Sequence, residues 1–209
     1  MKTFDFDLDR FQTEQVFSAI RTKEDVIKLW MRAVKIVSAY VKPEAGTAVS
    51  QMRLHVDKMS RLFFIDADKV FSVNFPFFTQ ESDGWFYFSC SSCSSVDSRV
   101  TSEVLSLIST HNVLALDDLY LFLDPIAAAV EIDSSVWSLF KYLMTCDDGY
   151  LRFDHDVARE NGDLHPKNHI DIFYSTATTF KIGLSDRMSV IEFADLLDVG
   201  TDCHFLHRK

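Results

Sequence analysis

Chain breakers are scarce here, with 6 glycines and 4 prolines in 209 residues. Beside 19 phenylalanines, that scarcity excludes disorder and argues for regular, well-packed structure. Neither GxGxxG nor GxxxxGK[ST] can be written anywhere, which removes the glycine-rich phosphate loops. HExxH is missing, and so is a GxSxG elbow. No stretch approaches the ~18 consecutive apolar residues of a membrane span. The start, MKTFDFDLDRF, is acidic where a secretory signal needs a basic and then an apolar run. A cytoplasmic protein with no membrane partner is expected, and its 4 cysteines then read as free thiols.

Positive charge is also in deficit. Lysine and arginine number 21 against 31 aspartates and glutamates, a formal net charge of −10. A phosphate backbone demands a positive footprint, so non-specific nucleic-acid binding is disfavoured. Solubility and a protein partner, of basic character, fit better. A chain of this length suits a single domain able to bury roughly 70% of its unfolded surface.

Periodicity divides residues 1–209 into a helical N-terminal part, 1–45, and a sheet-containing body, 46–209. Phe4, Phe6 and Leu8 alternate with Asp5, Asp7 and Asp9, an edge strand or an arm. A short helix over Thr13 to Ile20 precedes a stronger one. Thr22 and Asp25 have capping-box spacing, and Val26, Trp30, Ala33, Val34, Val37 and Val41 form one apolar stripe ahead of Pro43. Residues 50–61 read as helical. Leu62 to Phe78 reads as two strands turning at Asp66 and Asp68, and Gly84 to Ser89 as another strand. A serine-rich loop leads to a helix over Val100 to Ile108. Residues 113–132 are apolar, with Pro125 as a break, and Ser134 or Ser135 caps a helix through Met144. Ser189 and Glu192 form a capping box for a last helix over about 189–198, with Phe193 and Leu197 inward. The class is α+β: N-terminal helices, a mixed or antiparallel sheet, and a C-terminal antiparallel meander followed by a helix.

The richest segment, Tyr150 to Leu184, is that meander, with strands expected over 150–156, 169–175 and 178–185. Alternation puts Arg152, Asp154, His169, Asp171 and Lys181 on one face. Phe153, Ile170 and Ile172 take the other, and are expected in one cluster with Phe193 and Leu197. His165, in a loop held by Pro166, can reach over. His165, His169 and Asp171 are candidate ligands for a divalent metal. Asp154, His169, Asp171, Lys181 and Arg152 are the candidate catalytic set, the two cations also suiting a phosphoryl group. A half-buried antiparallel sheet explains the same alternation without any site and without a cofactor. In that case His169 anchors the loop around Pro166 by a hydrogen bond. The Glu-x-Lys strand of a restriction-like nuclease is missing.

The strings LRFDHD and DLHPKNHIDIFYSTATTFKIGL resemble the C-terminal signature of a bacterial family of unknown function. That family has an Arg-Phe-Asp-type strand, then His-Pro-x-x-His-[Leu/Ile], then a closing strand. The resemblance covers about a sixth of the chain and points to Arg152, Asp154, His165, Pro166 and His169. Members often carry a second histidine where Asp171 stands here. Some are encoded near phage-defence genes, which implies antiviral defence but no reaction.

Elsewhere, Cys90-x-x-Cys93 is half a zinc knuckle, with Cys146, Cys203 and His204 as distant candidates for the other half. Lys28, Arg32 and Lys35 form a basic stripe on one helix face, and Glu192, Asp195 and Asp198 an acidic one. Trp30, Trp85 and Trp137 read as core. Two functions follow. The first is an acidic interaction or accessory protein, of a phage-defence or toxin-neutralising system. The second is a metal-dependent hydrolase or nuclease using the meander's Asp/His/Lys cluster.

Overall fold

Antiparallel pairing organises the chain. The computed structural model describes residues 2–56, 60–116, 118–172 and 181–205. Seven strands form one sheet in the order β1 (Lys2–Leu8), β2 (Ser50–Val56), β3 (Arg61–Ile65), β4 (Lys69–Asn74), β7 (Leu151–His155), β8 (Asn168–Asp171), β9 (Lys181–Leu184). The strands β5 (Phe78–Ser82) and β6 (Trp85–Ser89) form a separate ribbon. The helices are α1 (Arg10–Val16), α2 (Lys23–Ser38), α3 (Ser98–Ser109), α4 (Leu119–Ile132), α5 (Ser134–Thr145) and α6 (Val190–Asp195). The expected α+β class, meander and closing helix are all present. The 1–45 part holds α1 and α2 but also β1, the edge strand that its alternation suggested. Among the described residues no helix is long and apolar enough to cross a membrane.

Strand alternation gives the sheet two cores. Phe6, Leu8, Met52, Leu54, Leu62, Phe64, Phe71 and Val73 face the larger one, with α2 supplying Val26, Trp30, Ala33, Val34 and Val37. Thr22 caps α2 through the expected box with Asp25. On the opposite face Phe63, Val70, Phe153, Ile170 and Phe193 share the smaller core, with Ile172 and Leu197 packed against it. That is the expected cluster of Phe153, Ile170, Ile172, Phe193 and Leu197. It needs α6 to cross beneath β3, β4, β7 and β8.

Several expectations are corrected. The described part of the stretch expected to be helical over 50–61 is not helical: Ser50–Val56 is β2, where Met52 and Leu54 keep a period of two between β1 and β3, and residues 57–59 lie outside the described residues. Pro125 does not break α4 but lies inside it, where burial of Ile126 and Ala129 offsets the one hydrogen bond it removes. Asp133, not Ser134 or Ser135, caps α5. The first short helix begins three residues early, because Asp9 and Gln12 form their own capping box. Val41 lies beyond α2 and is exposed, and Trp85 is exposed on the ribbon. The last helix ends at Asp195. The outer parts of the second and third meander strands, with Phe173 and Phe180, lie outside the described residues, as does His207.

The basic stripe is tied down inside the fold. Lys28 pairs with Glu24, Arg32 donates to the Gln15 carbonyl, and Lys35 donates to Ser98 and Ser102. Of the acidic stripe, Glu192 caps the Ser189 amide, Asp195 meets His204, and Asp198 accepts from Gly200. Cys90 and Cys93 pair through their backbones across a tight turn with both thiols free, and burial pushes the Cys90 thiol up. No cysteine belongs to a metal-ligand group among the described residues.

Two measurements check this packing. Phe193→Ala should cost about 3–5 kcal/mol in urea unfolding. Ile172→Ala should cost less, because that side chain is only partly buried. His55, against Phe63, is lowered from its ordinary pKa by burial and by Arg53, with Asp198 and Asp5 opposing. A depressed pKa gives stability that is present above the unfolded value of about 6.5 and is lost as pH falls through the folded one. Between pH 7 and 5 the wild type should therefore lose stability relative to His55→Leu.

Candidate functional site

One row of directly paired residues crosses all seven strands: Phe6, Met52, Phe64, Phe71, Arg152, Asp171, Lys181. The row changes from apolar to charged between β4 and β7. The next row runs Lys69, Asp154, His169, Gly183. The five residues that alternation assigned to one face are therefore neighbours across three strands, as cross-strand pairing requires. On this face His169 and Asp171 are buried, while Arg152, Asp154 and Lys181 are partly buried, so the charged end of the sheet is only partly open to solvent. His169 is 1% exposed and Asp171 3%.

Burial on this scale demands pairing. Arg152 supplies it by donating from Nε to Asp154 Oδ2 at 2.7 Å and from Nη2 to Asp171 Oδ2. Its third contact is the Tyr150 hydroxyl, 3.3 Å from Nη1. Burial works against the Arg152 charge, but Tyr150, Asp154 and Asp171 outweigh it and raise the pKa. Burial also pushes Tyr150 up, against the pull of Arg152.

His169 Nδ1 lies 2.8 Å from the Pro166 carbonyl oxygen. A carbonyl only accepts, so Nδ1 carries the proton and Nε2 presents its lone pair. This is the loop-anchoring bond that the structural reading of His169 expected. Lys181 Nζ sits 3.0 Å from that Nε2, 3.3 Å from His165 Nε2 and 3.3 Å from Asp171 Oδ1. The Asp171 approach is an ion pair that is not aligned as a hydrogen bond, so Oδ1 has no hydrogen-bond donor. The His165 and His169 rings meet edge to face, with centroids 4.8 Å apart. Gly183 allows this loop to close, since a Cβ there would lie 2.8 Å from the Pro166 ring.

Asp154, His169 and Asp171 place one donor atom each within 4.8 Å of one another. His169 Nε2 is 3.7 Å from Asp154 Oδ2 and 3.9 Å from Asp171 Oδ2. All six candidates, with His165 reaching over from its loop, are thus assembled. Two neighbours escaped the sequence reading. Tyr150 was accessible to it, because it lies two residues before Arg152 on the same alternation. Lys69 was not, because its place beside Asp154 depends on the pairing of β4 with β7, about eighty residues away in the chain. Burial and Arg152 lower the Lys69 pKa, with Asp154 and Asp66 opposing. Lys69 and Asp154 line a shallow groove of about 370 Å³ with Asp68, His155, Asp156 and Arg159.

The six candidates are balanced in charge, with two carboxylates against one guanidinium and one ammonium, and Lys69 beside Asp154 adds a further positive charge. No protein-family model, no curated protein and no solved structure matches this chain.

Arg152→Met leaves the buried Asp171 and the partly buried Asp154 without their bridge. It should destabilise the protein by about 3–5 kcal/mol at neutral pH, read from chemical unfolding. A loss below 1 kcal/mol would mean that the network contributes no more than an exposed pair.

Proposed function

We propose that this chain is an interaction or accessory protein and that the outward face of the β5–β6 ribbon is its docking surface. One observation carries the reading: Phe78, Trp85 and Tyr87 project from the same ribbon face at 71%, 63% and 59% exposure. The other face is committed to the core. Phe86 meets Phe4 and Phe6 edge to face, and Phe88 meets Phe75. Trp85 and Tyr87 are two residues apart on one strand, and Phe78 is diagonal to Tyr87, so the three form one patch. Single exposed apolar residues are ordinary, but a contiguous aromatic patch marks a contact surface. Tryptophan and tyrosine also dominate the energetic centres of interfaces.

Charge indicates the partner. The segment from 77 to 98 contains Glu81, Asp83 and Asp97 but no lysine or arginine. With the chain's net charge of −10, this favours a basic protein. The family resemblance adds a class: another component of a defence or toxin-neutralising system. Four free thiols fit work in the cytoplasm. The hydrolase or nuclease reading draws on the convergence of Asp154, His169 and Asp171. It is the weaker one, because Arg152 and Lys181 already engage the carboxylates and the His169 lone pair that catalysis would need.

Tagged wild type and the triple variant Phe78→Ser, Trp85→Ser, Tyr87→Ser should be compared by affinity capture, with thermal unfolding as the control. The expected outcome is a stoichiometric basic partner retained by wild type and lost by an equally stable variant. A partner that binds both equally, or a wild type that only dimerises through this face, contradicts the reading.

A further inference from the structure

The ammonium of Lys181 has unusual company. An ammonium carries three donors and no acceptor, and it is normally met by carboxylates, carbonyls or water. Among the described residues it meets His169 Nε2 at 3.0 Å, His165 Nε2 at 3.3 Å and Asp171 Oδ1 at 3.3 Å. Two imidazole nitrogens and one carboxylate oxygen converge on a single cation. That is the donor set of a first-row divalent metal ion.

Three further observations point the same way. His169 donates its other ring nitrogen to the Pro166 carbonyl at 2.8 Å, the outer hydrogen bond that metal-binding histidines almost always make. Asp171 is 3% exposed, yet its Oδ1 receives no hydrogen bond. His165 Nδ1 is likewise buried without a hydrogen-bond partner, and among the described residues the polar contact of that ring is the one to Lys181. Asp154, His169 and Asp171 already bring donor atoms within 4.8 Å of one another, a group that does not include His165, so His165 joins by moving inward with its loop and Asp154 stands ready as a further carboxylate.

We propose that Lys181 Nζ occupies a cation seat which a divalent ion of the zinc class takes in exchange, with His165, His169 and Asp171 as ligands. Metal bonds of about 2.0–2.2 Å would draw the three donors inward by about 1 Å relative to the ammonium. The His165 loop can supply that movement, since it meets the sheet through Pro166 and Gly183. Lys181 lies on β9, the last strand of the sheet order, and its long side chain can leave by rotation. Arg152 remains on the outer oxygens of Asp154 and Asp171. With the dication it leaves one net positive charge, which limits affinity. Two imidazoles select zinc, cobalt or nickel over magnesium and calcium, which prefer oxygen. The proposal is independent of the ribbon surface and assigns no reaction to the metal.

The test is a titration of metal-stripped full-length protein with Co²⁺, read by its visible absorption, followed by Zn²⁺ competition in a calorimeter. Wild type should bind one equivalent that Zn²⁺ displaces. If the ammonium holds the seat about nine-tenths of the time, Lys181→Met should bind about tenfold more tightly. His169→Ala should bind none. Circular dichroism and thermal unfolding check that each variant is folded. Nitrogen shifts of His165 and His169 in the wild type, followed during the titration, stand in for a variant that fails to fold, and both rings should respond. Absence of stoichiometric Co²⁺ binding by wild type at millimolar concentration overturns the proposal. So does binding that is unchanged in His169→Ala, or equal in wild type and a folded Lys181→Met. Magnesium competing as well as zinc would also overturn it, by pointing to a carboxylate-only site.

Discussion

One guanidinium shared by two carboxylates holds the C-terminal half of the sheet together. Arg152 on β7 reaches Asp154 on its own strand and Asp171 on β8, and Lys181 on β9 completes the balance. The constraint behind this is geometric. A seven-stranded sheet with helices on one face and α6 on the other has little surface left for charge. Where the row across the sheet leaves Phe71 and enters β7, Arg152 and Lys181 are partly buried and Asp171 is buried. They must neutralise one another, because an unpaired buried charge costs several kcal/mol. The His165–Pro166 loop then closes over the cluster, fixed by the His169 ring and accommodated by Gly183.

The same division explains the two surfaces with functional potential. The meander gathers chemistry but engages it internally, so it is best described as a cation-binding network whose resident cation is a lysine. The ribbon gathers aromatic area and leaves it in solvent. Alternation is responsible in both places. Within β7–β9 it separates Phe153 and Ile170 from Arg152, Asp154 and His169, and within the ribbon it separates Phe86 and Phe88 from Trp85 and Tyr87.

Much of this was legible in the sequence wherever the information was local. The Thr22–Asp25 and Ser189–Glu192 boxes mark the starts of α2 and α6. Period-two alternation placed Arg152, Asp154, His169, Asp171 and Lys181 on one face before any pairing was known. Within β2, Met52, Leu54 and Val56 alternate with Gln51, Arg53 and His55, a local strand signal that the helical reading of 50–61 passed over. What was not legible depended on pairing partners. Trp85 reads as core by composition, but the parity of the ribbon turns it outward. Lys69 enters the site through a strand pairing that spans the helical excursion between β4 and β7. The burial of His169 and Asp171 was not legible either, because it comes from tertiary closure and not from the strand pattern.

The most direct test of the central claim is the protonation pattern of the His169 ring, measured by long-range proton–nitrogen correlation at neutral pH. The network requires the neutral tautomer with the proton on Nδ1, donated to Pro166, and an Nε2 lone pair accepting from Lys181. Nitrogen shifts of that tautomer, moving on Lys181→Met but not on Trp85→Ser, are the predicted result. A proton on Nε2, or ring shifts indifferent to Lys181, would contradict the account.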